Sequence, residues 1–289
     1  MLCRPRPGGG EGEGLKIRNI NMSWEIKYIC FSHIGRIRRN NEDNFICLSR
    51  YMDHDNNGTE EPVAGAFLSD EPQLVGVFDG MGGEELGEMA SYLAAETAAM
   101  CSFEGDPEEA LTGFCRFAND RICQYADENN VSSMGTTAAV LLFRPDGVRV
   151  CNVGDSRIYL YSRNRLTQVS VDHVVPMEGR RKPPLSQNLG IPEEEMVIEP
   201  YIAFRKYRKG DTWLICSDGL TDMVPEDEIA GILKGASHRD AARLLRDRAL
   251  ENGGRDNVTV LVCRTERKHG NVWKYLAGSC GKGGGRHGR

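Results

Sequence analysis

The side chains able to do chemistry in this chain are carboxylates, each set in its own short signature and scattered from Glu42 to Asp256. Glu42 and Asp43 close the run Gly35-Arg36-Ile37-Arg38-Arg39-Asn40-Asn41-Glu42-Asp43. Asp79 lies in Val77-Phe78-Asp79-Gly80-Met81-Gly82-Gly83, and Asp155 in Asn152-Val153-Gly154-Asp155-Ser156-Arg157. Asp218 and Asp222 share Cys216-Ser217-Asp218-Gly219-Leu220-Thr221-Asp222, and Asp256 sits in Gly254-Arg255-Asp256-Asn257. Most of these residues adjoin a short apolar run. Carboxylates at strand ends, gathered from distant sequence, suit a hard cation, because Mg²⁺ and Mn²⁺ take oxygen ligands and keep waters beside a few carboxylates. Each aspartate also has a plainer reading as a turn or cap residue.

The elements that must carry these residues follow from the apolar pattern. Trp24 to Phe31 and Asn44 to Leu48 read as strands, and Leu74 to Phe78 as a buried strand delivering Asp79. Glu84 to Met100 reads as a helix, with Leu86, Met89, Ala90, Leu93 and Ala94 at helical spacing. Asp106 can cap a second helix that has Pro107 at its first position. Thr136 to Phe143, Val148 to Val153 and Arg157 to Tyr161 form a meander around Gly154-Asp155. A strand over Asp211 to Cys216, helices over Glu226 to Leu233 and His238 to Leu250, and a strand over Asn257 to Cys263 complete the chain. That order suits an α+β fold of two antiparallel sheets packed face to face with helix pairs outside.

Composition narrows the function. A length of 289 residues allows one large domain or two small ones. The net charge of −6 argues against a dedicated nucleic-acid binder, which carries a basic stripe. No apolar run is long enough to span a bilayer, so no membrane partner is expected. Ten cysteines without a C-x-x-C pair read as buried free thiols in a reducing cytosol, and a cytoplasmic location is expected. Residues 1–21 read as a disordered arm, 22–266 as the catalytic domain and 267–289 as a basic, Gly-rich tail.

The order and wording of these motifs resemble the metal-dependent protein phosphatases, the type 2C serine/threonine phosphatases, in their compact bacterial form. The resemblance runs from about Trp24 to Arg264. It implies the four-layer αββα sandwich, hydrolysis of phosphoserine and phosphothreonine by a metal-activated water, and two Mn²⁺ or Mg²⁺ ions. It further implies that Asp79 bridges both ions, that Asp218 and Asp256 complete the ligands of the first ion, and that Glu42 and the Gly80 carbonyl serve the second ion. Asp43 would act through a bound water, and Asp155 and Asp222 would hold a third, weaker ion. Arg38, four residues before Glu42, matches the phosphate-binding arginine, with Arg36 and Arg39 as rivals. Phosphorylated proteins are the implied partners, including a cognate Ser/Thr kinase, and a monomer is expected.

Two features depart from parts of the family. Met81 stands where many eukaryotic members carry a histidine general acid, and a thioether cannot donate a proton. Val174 to Leu189 is a short flap segment holding Arg180-Arg181-Lys182-Pro183-Pro184. Its basic run could attract acidic phosphopeptides or could be a solvated, Pro-stiffened loop. Two rival functions remain at this level: a dedicated phosphatase of a single signalling partner, and a non-catalytic binding module of the same fold.

Overall fold

A computed structural model describes residues 23–82, 86–177 and 182–268, which belong to one compact unit spanning Ser23–His269. The arm expected over 1–21 and most of the tail expected over 267–289 lie outside the described residues. The chain runs β1 (Trp24–His33), β2 (Asp43–Cys47), β3 (Val63–Leu68), β4 (Gln73–Met81), α1 (Gly87–Met100) and α2 (Pro107–Asn129). It continues with β5 (Gly135–Thr136), β6 (Ala138–Arg144), β7 (Gly147–Val153), β8 (Arg157–Ser162), β9 (Arg165–Gln168) and β10 (Tyr201–Arg205). It closes with β11 (Thr212–Cys216), α3 (Asp218–Thr221), α4 (Glu226–Gly235), α5 (His238–Glu251) and β12 (Val258–Arg267).

These strands form two antiparallel sheets. One has the order β3-β1-β12-β11-β8-β9 and the other β10-β7-β6-β4-β2, with β5 paired to β4. The alternation of side chains along a strand explains the layers. On β4, Val75 and Val77 enter the core between the sheets, while Leu74 and Phe78 pack toward α1 and α2. On β12, Leu261 and Cys263 point between the sheets, while Val258, Val260 and Val262 meet α4 and α5. Central strands covered on both faces carry apolar side chains on both, which is why their middles read as continuous hydrophobic runs. The result is the expected αββα sandwich.

Local chemistry sets the ends of the helices. Asp106 accepts from the Glu108 and Glu109 amides at 2.9 Å, and Pro107 follows at the first helical position of α2. Asn130 ends that helix in the left-handed conformation, φ 57°. The helix expected from Glu84 begins instead at Gly87, because Leu86 at φ 59° turns the chain out of the helical path. Glu84 and Glu85 lie outside the described residues. Three strands were not legible in the sequence: β3, β9 and β10. All three are sheet edges with largely part-exposed positions, so no apolar run marks them.

Candidate active site

The antiparallel register of β2 on β4 sets Asp43 directly opposite Asp79. The Gly80 amide continues the pairing by donating to the Glu42 carbonyl at 3.0 Å. A Cβ on Gly80 would fall 2.1 Å from the Gly87 carbonyl oxygen and 2.5 Å from that of Glu42. Glycine is therefore needed there by the protein's own backbone, a reason additional to the close approach of an ion expected from the sequence. The Asp79 amide donates to the Thr137 hydroxyl at 3.0 Å, and Thr137 and Ser156 share a 2.7 Å bond that ties the Asp155 turn to the same strand end.

The remaining carboxylates arrive from the other sheet. β11 ends at Cys216, and the short α3 starts on Asp218. The Asp222 amide donates to the Asp218 carbonyl at 2.8 Å, so the two acids stand one turn apart. Asp256 precedes β12 and receives Arg38 Nη2 at 2.8 Å. The second Arg38 nitrogen lies 3.8 Å from Glu42. A cavity of about 410 Å³ is lined by Arg38, Glu42, Asp79, Gly80, Asp155, Asp218 and Asp256. Two expected residues stand apart from that lining. Asp43 is buried beneath the floor, where it accepts from Ser217 at 2.7 Å. Asp222 opens into an adjoining cavity of about 150 Å³, which it shares with Lys182 and Asp256.

Of the three arginines, only Arg38 lines the main cavity. Arg36 uses its backbone amide to hold Gly254 at 2.7 Å. Asn257 went unassigned in the sequence although it sits in a quoted motif. Its side chain donates to the Ile34 and Asn40 carbonyls and accepts from the Glu42 amide, each at 2.9 Å. One buried amide thus staples both ends of the Arg38 loop to the Asp256 turn. His173 accepts from the Gly154 amide at 3.2 Å and His33 from the Gly35 amide at 2.9 Å, so each histidine holds local backbone.

Crowded carboxylates with little water favour the neutral acid. Burial pushes the Asp43 carboxyl up to about 7, against the pull of Ser217 and Thr259, with Asp218 and Asp256 adding to the rise. Burial, then Asp218, lifts Asp155 to about 6. Burial and the neighbouring acids hold Asp79 well above the carboxylate range, and burial likewise raises Asp218 and Glu42. A bound cation reverses that logic by favouring the charged forms.

The donor set fits divalent ions of the hard class, being all oxygen and strongly anionic. One oxygen of Asp43 is buried with no hydrogen-bond partner, which leaves a lone pair for a water or ion. A cation already stands among these acids: the Lys182 ammonium contacts Asp218 and lies 3.9 Å from both Asp222 and Asp256. The basic run of the flap therefore turns inward at Lys182; Arg180 and Arg181 are outside the described residues. Among the described residues, no three His, Cys, Asp or Glu side chains close on one point as a finished cage.

Among the described residues, cysteine offers no competing chemistry. Cys30, Cys115 and Cys151 each stand six residues before an arginine, the spacing of a cysteine-phosphatase loop, but all three are buried within β1, α2 and β7; Cys280, with the same spacing to Arg286, lies outside the described residues. Burial raises the Cys30 thiol, and the contact with Cys115, then burial, raises that of Cys151. All eight described cysteines are free thiols.

Comparisons with known proteins bear on the family and the fold. The family profile Protein phosphatase 2C matches residues 31–181. The serine/threonine phosphatase stp of Listeria welshimeri is 34% identical over 253 residues, covering 79% of this chain and 91% of that protein. The serine/threonine protein phosphatase PstP of Mycobacterium tuberculosis is 31% identical over 271 residues, covering 88% of this chain but 48% of the longer relative. The crystal structure of the PstP catalytic domain with two manganese ions superimposes with a TM-score of 0.69 at 31% identity, covering 84% of this chain and 99% of that one. With the profile spanning more than half of the chain and the relatives nearly all of the described unit, this chain belongs to the protein phosphatase 2C family and is a metal-dependent protein phosphatase.

Proposed function

We propose that this chain hydrolyses phosphoserine and phosphothreonine in proteins at a pair of Mn²⁺ or Mg²⁺ ions. Asp79 would be the shared ligand, with Asp218 and Asp256 holding one ion and Glu42 with the Gly80 carbonyl holding the other. The observation that carries this reading is the convergence of carboxylates from both sheets on one cavity, beside a single forked cation. Two divalent ions held there supply a water acidic enough to act as nucleophile near neutral pH and neutralise charge on the phosphoryl oxygens. Arg38 then receives the phosphate, since a guanidinium grips two phosphoryl oxygens at once. Its contact with Asp256 is the interaction that the substrate exchanges.

Other residues position this set. Asn257 and the Gly80–Glu42 pairing hold the Arg38 and Glu42 segment, while Ser217 orients Asp43 for contact through water. Asp155 and Asp222 would hold a third, weaker ion. Met81 donates no proton and neither His33 nor His173 lines the cavity, so the leaving group's proton comes from metal-bound water, another residue or solvent. The reading extends to a catalytic unit of residues 22–266 working as a cytoplasmic monomer opposite a Ser/Thr kinase. The naming of the relatives as serine/threonine phosphatases supports the substrate class alone. Among the described residues, no helix is long and apolar enough to cross a membrane.

A phosphopeptide panel assayed with Mn²⁺, with Mg²⁺ and in chelator tests this function. Turnover requires added metal, and Asp79→Asn or Asp218→Asn abolishes it without unfolding the protein. Full activity after exhaustive chelation overturns the reading. So does a variant rate within a few-fold of wild type, about 1 kcal/mol in barrier. Activity on one partner protein alone marks a dedicated regulatory phosphatase.

A further inference from the structure

We infer that Lys182 is a tethered cation that fills the Asp218 end of the carboxylate cluster in the metal-free protein and competes with divalent ions for it. The inference rests on the metal-site reading above and goes beyond it by naming a competitor within the chain. Lys182 reaches three acids from separate positions: Asp218 at the start of α3, Asp222 at its end and Asp256 before β12. The ammonium touches Asp218 and stands close enough to the other two carboxylates for charge attraction. Two of the three acids are proposed ligands of the first ion, and the third belongs to the weaker site. The Lys182 ammonium at the Asp218 oxygen competes in charge and in space with a divalent ion.

The backbone holds the lysine in place. Val174 bridges Leu185, the Val175 amide donates to the Pro184 carbonyl at 2.9 Å, and the Ser186 amide donates to the His173 carbonyl at 2.8 Å. His173 is itself bonded to Gly154, beside Asp155. Pro183 and Pro184 follow the lysine directly and fix their own φ angles, so little backbone freedom is lost when Lys182 docks. Burial pulls the Lys182 ammonium down, but Asp218, then Asp79 and Asp256, outweigh it and keep the group charged. The charge offsets the repulsion among acids that would otherwise face each other across the cavity.

Competition of this kind scales apparent metal affinity by the fraction of molecules in which the lysine is undocked. Docking in about nine-tenths of molecules weakens metal binding about tenfold. The experiment is calorimetric titration of the full chain with Mn²⁺ for wild type, Lys182→Gln, Lys182→Arg and Lys209→Gln. The last removes the same charge from an exposed lysine outside the site. Melting is measured in parallel in chelator and in saturating Mn²⁺. Lys182→Gln is expected to bind Mn²⁺ about tenfold tighter, to melt lower than wild type in chelator, and to match it in saturating metal. Lys182→Arg keeps wild-type affinity within about threefold, and Lys209→Gln changes nothing. Unchanged Mn²⁺ affinity in Lys182→Gln overturns the inference while leaving the metal site intact, and a raised phosphopeptide KM alone then makes Lys182 a substrate ligand instead. A wild-type chain that binds no Mn²⁺ overturns both readings. If Lys182→Gln fails to fold, Lys182→Met is titrated in its place under the same criteria.

Discussion

Replacing Asn257 with alanine tests whether the site is held by one buried amide. Asn257 is 4% exposed and makes three hydrogen bonds, two to the carbonyls of Ile34 and Asn40 and one from the Glu42 amide. An intramolecular hydrogen bond contributes about 1 kcal/mol net, and a buried partner left unsatisfied costs about 1–3 kcal/mol. Water reaching part of the site offsets some of that loss, so Asn257→Ala should cost about 3 kcal/mol. In a unit of this size each kcal/mol lowers Tm by about 2–4 °C, which gives a fall of about 6–12 °C. The same change frees the loop that carries Arg38 and Glu42. Phosphopeptide kcat/KM should therefore drop by about tenfold to a hundredfold even well below the new Tm, as expected when catalytic groups are misplaced by an ångström. Thermal and urea unfolding measure the first effect and steady-state kinetics at 20 °C the second. A Tm loss below about 2 °C together with unchanged kcat/KM would refute the staple.

Arg38→Ala should raise the phosphopeptide KM far more than it alters Mn²⁺ affinity, with Arg36→Ala and Arg39→Ala milder; an Arg36 variant worst of the three would show that the register is misread. Asp222→Ala should shift the metal dependence of turnover to higher concentration and be partly rescued by excess metal. Superimposable titration curves would reduce Asp222 to a helix-end residue. The carboxyls of Asp43, up to about 7, and Asp155, about 6, are raised in the fold above the usual value of about 3.9. Their protonated forms are therefore favoured by folding, and this stabilisation is present below about pH 4 and lost as pH rises through about 6–7. In chelator, Asp155→Asn should accordingly flatten the fall in unfolding free energy across that window, and saturating Mn²⁺ should reverse the wild-type slope. A steeper fall in the variant would contradict this assignment.

Much of the molecule was legible before any coordinates. The cap at Asp106-Pro107, the meander around Gly154-Asp155 and the apolar runs of β4, β11 and β12 are written in nearest-neighbour chemistry, which short spans of sequence carry intact. The carboxylate motifs named the ligand class because oxygen donors at strand ends have few other uses in such numbers. Tertiary structure alone decided the rest. The pairing of β2 with β4 sank Asp43 beneath the cavity floor opposite Asp79, and no local pattern records that register. The three edge strands bury too little on either face to leave a hydrophobic trace. Asn257 acts on Ile34, Asn40 and Glu42 across more than two hundred intervening residues. Lys182 read as one member of a solvent-facing basic run until the flap's bridge to Val174 turned it toward Asp218. Residue type sets what a side chain can do, but which charges it meets depends on contacts made only when the two sheets close on each other.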